Sequence, residues 1–120
     1  MPQLSALLLL LPCLLCAGGC GNPLSAGLEA FDEARYPDAI EQLRSVEANV
    51  PDLDPAERNR YALYRGLSHL AAGDARQATR WLGRAKAALD ADPHAYDARE
   101  TGQLVAAWRS MGKMPGEPGR

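Results

Sequence analysis

Two glycines 39 residues apart, Gly27 and Gly66, set the strongest constraint on what this chain can build. Sliding the sequence on itself by that distance puts Leu24 on Leu63, Leu28 on Leu67 and Phe31 on Leu70. The same register puts Ala34 on Gly73, Ala39 on Ala78, Leu43 on Leu82 and Val46 on Ala85. A period between about 20 and 50 residues signals an array of supersecondary units. Composition decides which kind. Residues 20–120 carry 19 alanines but only six Val, Ile and Thr together. Alanine is the best helix former, and β-branched residues are what strands draw on. The units are therefore predicted to be helix pairs.

Helix starts are marked by three similar dipeptides, Asn22-Pro23, Asp54-Pro55 and Asp92-Pro93. Each offers a side-chain acceptor at the N-cap and a proline at the first helical position. Glu57 follows Asp54 with capping-box spacing. Gly73-Asp74 and Tyr36-Pro37-Asp38 mark turns within the pairs, and residues 51–54 read as a linker. The pattern predicts five helices near 24–35, 37–49, 55–72, 74–90 and 94–111. Tyr96, Leu104, Val105, Trp108 and Met111 give the last one an apolar side, and Gly102 within it is expected to pack closely on the helix before. Residues 112–120 hold much Gly and Pro and are expected to be disordered.

The stretch Gly66…Gly73-Asp74…Ala78…Leu82…Ala85 resembles the tetratricopeptide repeat (TPR), and Gly27…Tyr36…Ala39…Leu43…Val46…Pro51 matches in the same register. Pro23 and Ala62 stand where that family has an aromatic. The resemblance covers about residues 22–92. It implies an all-α fold: a short α-solenoid of two TPR-like helix pairs plus a C-terminal capping helix. A generic alanine-rich bundle is the alternative. Small residues at Gly27, Gly66, Ala39 and Ala78 would let paired helices approach closely.

The N-terminus is a separate object. No charged residue precedes Glu29, and residues 4–17 form an apolar run broken by Pro12. That run is too short to span a bilayer, which needs about 20 apolar residues, and reads as the core of a signal peptide. Small residues and Cys20 follow it. The stretch resembles the lipobox of bacterial lipoproteins, although Ala17 stands where that family prefers Leu and the start lacks Lys and Arg. The resemblance implies cleavage of residues 1–19 and a diacylglycerol on Cys20, with further acylation. It makes 20–111 the mature helical domain. Plain secretion and an uncleaved anchor are the alternatives. Cys13 and Cys16 lie inside the apolar run, so the mature chain would keep one cysteine and form no internal disulfide. Gly21 after the cysteine, rather than Asp, favours the outer over the inner membrane.

Two surfaces stand out. The first helix of each pair carries an apolar stripe, Leu24, Leu28 and Phe31, then Leu63, Leu67 and Leu70. In the TPR family such positions face a partner groove; in so short an array they can equally be core. Charge is split as well. Residues 29–57 sum to −7 and residues 58–89 to +6 within a total of −2. Arg76, Arg80 and Arg84 form an i, i+4, i+8 strip, suited to an acidic partner or anionic lipid, or simply a solvated face.

Nothing points to catalysis. His69 and His94 lie on different predicted helices without metal-ligand spacing, and no nucleophile elbow or phosphate loop is present. Trp81 and Trp108 read as packing anchors. Neither cofactor nor metal is expected, and the charge balance offers no nucleic-acid field. The sequence thus leads to a lipid-anchored, periplasm-facing, non-enzymatic adaptor that binds an envelope protein. The alternative is a structural subunit that self-associates or stacks on a larger envelope complex.

Overall fold

The computed structural model describes residues 22–112, and all of its regular structure is helical. Residues 1–21 and 113–120 lie outside it, and with them the expected leader, Cys20 and nearly all of the expected tail. Five α-helices follow in order: α1 (Ser25–Asp32), α2 (Tyr36–Ser45), α3 (Pro55–Ala71), α4 (Ala75–Ala91) and α5 (Ala98–Ser110). A 3-10 segment, Glu47–Asp52, links α2 to α3.

The 39-residue register is visible in the backbone. Ala34 and Gly73, which it pairs, both take left-handed conformations, with φ of 61° and 88°. Each closes the first helix of its pair with the same bonds. Arg35 N–H donates to the Ala30 carbonyl and Ala34 N–H to Phe31; Asp74 N–H donates to His69 and Gly73 N–H to Leu70. This is a Schellman closure. A third left-handed residue, Gly112 at 71°, stands another 39 residues on and ends α5. Its N–H donates to the Arg109 carbonyl at 2.8 Å. In register, α5 is therefore the counterpart of α1 and α3.

Packing repeats too. Leu43 of α2 lies over Gly27 and Leu82 of α4 over Gly66, so closely that a Cβ on either glycine would stand 2.5 Å from the leucine Cγ. Ala39 and Ala78 on the facing helices are fully enclosed. Central α3 packs against both α2 and α4, and also touches α1 and α5. Nine consecutive residues of it, 61–69, are buried. A helix can be buried around its whole circumference only when neighbours flank it on several sides.

Five expectations change. The first helix stops at Asp32, because Ala34 turns left-handed. The second stops at Ser45 and tightens into the 3-10 segment, with Pro51 inside it. The last begins at Ala98, not near His94. Asp97 and Glu100 close a full capping box there, while Asp92 accepts only the His94 N–H in a turn. Gly102 is exposed and has no neighbour near its Cβ position, so it makes no close approach to α4. Asp54 caps as expected, bonding the Glu57 N–H, but Asn22 does not: it bonds the Leu24 N–H in a turn, as Asp92 bonds that of His94, and Leu24 stands at the N-cap of α1 without a side-chain bond.

Candidate interaction surfaces

The apolar stripe divides on folding. Leu24 and Leu63 are fully buried and Leu67 nearly so; these three are core and line no groove. Leu28, Phe31 and Leu70 pack against that core while keeping part of their surface in solvent. Phe31 sets its ring edge-to-face against Tyr36 at 5.5 Å and Tyr64 at 5.2 Å, joining α1, α2 and α3. What remains of the stripe at the surface is the partly exposed area of these three side chains, two on α1 and one on α3.

The α5 end of α3 carries an open cavity of about 590 Å³, lined by Ala56, Arg60, His94, Ala95, Tyr96, Asp97 and Glu100. Its polar groups are mutually engaged. Buried Glu100 accepts from Arg60 at 3.1 Å and from the Tyr64 hydroxyl at 3.2 Å. Tyr96 donates to the Asn59 carbonyl at 2.8 Å. Burial, then the Glu100 charge, pushes the Tyr64 hydroxyl up to about 12 and the Tyr96 hydroxyl further in the same direction. Such groups hold protons near neutral pH and act as hydrogen-bond donors, not as bases. The arrangement fastens α5 to α3.

A second polar cluster lies where α2 and the 3-10 segment meet α3. Arg65 is 5% exposed. It donates to Glu47 at 2.8 Å, to the Tyr61 hydroxyl at 2.7 Å and to His69 Nε2 at 3.3 Å. Its guanidinium lies 4.8 Å from the Trp81 ring centroid. The bond from Arg65 holds Glu47 below the usual carboxylate range. Burial, and secondarily the Arg65 charge, lowers His69, so that imidazole is neutral with Nε2 as acceptor. Tyr61, Arg65 and His69 are spaced i, i+4, i+8 on a helix otherwise largely apolar at these positions. That spacing was the available signal for this cluster, and sequence reasoning passed over it.

The arginine strip is exposed along α4. Arg80 and Arg84 stack on Trp81, at 5.2 and 4.5 Å from its centroid. Trp81 itself is 3% exposed and meets Tyr61 edge-to-face at 5.4 Å, as expected of an anchor. Trp108 is half-buried with its ring over Gly83. Among the described residues no group of three or more His, Cys, Asp or Glu side chains could hold a metal. None of the described helices is long and apolar enough to cross a membrane.

The geometry defines an all-helical chain of repeated pairs with partly exposed apolar side chains on α1 and α3 and a basic strip on α4. No family model, curated protein or solved structure matches the chain.

Proposed function

We propose that this chain is a TPR-like adaptor of the bacterial envelope, lipidated at Cys20 after removal of residues 1–19, and that it binds a partner protein without catalysis. One observation carries the reading: the two helix pairs repeat their left-handed closure and their leucine-over-glycine contact at the 39-residue spacing. That recurrence supports a solenoid over a generic bundle, in which equivalent contacts need not recur in register. The partly exposed Leu28, Phe31 and Leu70 are the contact residues of this reading, with the anchor confining them to a periplasm-facing membrane surface, the outer membrane by preference.

Metabolic labelling with a fatty acid tests the anchor. The native chain takes up label and Cys20→Ser does not; equal labelling of both overturns it. The burial of Leu24 and Leu63 favours a second reading, a self-associating structural subunit, because it leaves one chain little of the stripe at its surface. Light scattering separates the two. A stable monomer supports the adaptor, and an obligate oligomer that buries Leu28, Phe31 and Leu70 supports the subunit.

A further inference from the structure

Arg76, Arg80 and Arg84 are exposed, and no acid lies within ion-pair distance of them among the described residues. Arg44 of α2 is equally exposed and equally free among those residues. Arg44 and Arg80 both lie near enough to the Glu47 carboxyl for their charges to act on it. That carboxyl is already bonded to Arg65. The neighbouring acids are committed as well: Asp74 caps α4 through the Gln77 N–H, and Asp90 pairs with Lys86. The surface therefore carries four arginines, unpaired among the described residues, beside three acids that are already engaged.

Stacking adds geometry to the charge. Arg80 and Arg84 carry their guanidinium carbons within 5.2 and 4.5 Å of the Trp81 ring centroid, so both side chains are anchored on the indole. A side chain anchored that way loses less freedom on binding an oxyanion, which guanidinium N–H groups take in bidentate fashion. Along α4 the three arginines span about 12 Å at the rise of an α-helix, room for several phosphates side by side.

We propose that this face, Arg76, Arg80 and Arg84 with Arg44, receives phosphate-bearing lipid headgroups and lays the domain against an anionic bilayer. The choice of a membrane rests on the lipid-anchor reading. Asn22 follows Cys20 by two residues, a reach of about 7 Å. The field of an anionic leaflet extends about a Debye length, ~8 Å at physiological salt. An anchored domain thus sits inside that field. The exposed arginines of α4 are drawn toward that field and the acids of residues 29–57, which sum to −7 with their bases, are repelled by it, so the field favours orientations that bring the strip to the surface.

The test is flotation of the full chain carrying Cys20→Ser, with vesicles of phosphatidylcholine alone or mixed with phosphatidylglycerol. Phosphatidylglycerol should raise binding, and high salt should remove the gain. R76E/R80E/R84E should abolish it; each arginine near an anionic surface contributes about fivefold in partitioning, the three together about a hundredfold. R76K/R80K/R84K should keep most of it, with unchanged helical content in both variants by circular dichroism. Equal flotation on the two vesicle types, or of parent and R76E/R80E/R84E, overturns the proposal. Arginine-dependent binding of soluble pyrophosphate or an acidic peptide without vesicle binding also overturns it. Fatty-acid labelling keeps the two readings apart. Label on Cys20 without arginine-dependent flotation sinks only the surface. Arginine-dependent flotation without label sinks only the anchor.

Discussion

A methyl group added at Gly66 would stand 2.5 Å from Leu82 Cγ and 2.9 Å from the Leu82 backbone nitrogen. At Gly27 the three atoms nearest the equivalent methyl all belong to the Leu43 side chain. The two positions look identical in the sequence, and this difference separates them. Gly66→Ala is expected to destabilise by about 1–3 kcal/mol, because packed cores resist added volume. In double-mutant cycles, Leu43→Ala should remove most of the penalty at Gly27, while Leu82→Ala should remove only part of it at Gly66. Thermal melts of the four single and two double variants measure both couplings, and an unshifted Gly66→Ala would refute the close approach. The leucine–glycine pairing was legible from the 39-residue register. The backbone contact was not, since register reports which residues meet and not how nearly.

Among the elements, α5 shows best where sequence patterning runs out. Asp54-Pro55 does cap its helix, while Asn22-Pro23 and Asp92-Pro93 offer the same chemistry and bond only the N–H two residues on. The chain instead starts α5 at Asp97, whose side chain bonds the Glu100 N–H at 2.7 Å while Glu100 reaches back to the Asp97 N–H. Glu100 can close that box because Arg60 and Tyr64 hold its carboxylate from α3. Those partners lie 36 and 40 residues away, beyond any local pattern. Asp97→Ala should cost about 1 kcal/mol, and Asp92→Ala clearly less; urea titration of both checks the order. The same limit divided the apolar stripe. Period alone gave six equivalent positions, and the neighbours of central α3 decided that Leu63 and Leu67 are enclosed while Leu70 is not.

At the scale of the whole molecule, the two helix pairs are joined by a seam with Arg65 at its centre. Its partner Glu47 comes from the connecting 3-10 segment, and His69 comes from α3 itself. Both groups are held below their ordinary values. Each therefore binds fewer protons folded than unfolded, and stability rises with pH across its range. The His69 contribution is complete above about 6.5 and that of Glu47 above about 4.3. Both are lost as pH falls from there through the folded values. Denaturation measured across this range should show two acid steps, the lower one smaller because Glu47 is half-exposed. His69→Gln removes the upper step and Glu47→Gln the lower; a flat profile through the histidine range would contradict the seam. The register has one last consequence, for growth of the array. In α5 the place of Gly27 and Gly66 is taken by Val105, and that of Leu24 and Leu63 by Gly102. The seat that twice receives a leucine from the following helix is thus filled by a side chain in α5, and the core leucine beside it is missing. A further helix in the earlier geometry would bring its leucine onto Val105, so a designer wishing to lengthen the register would begin by exchanging those two residues.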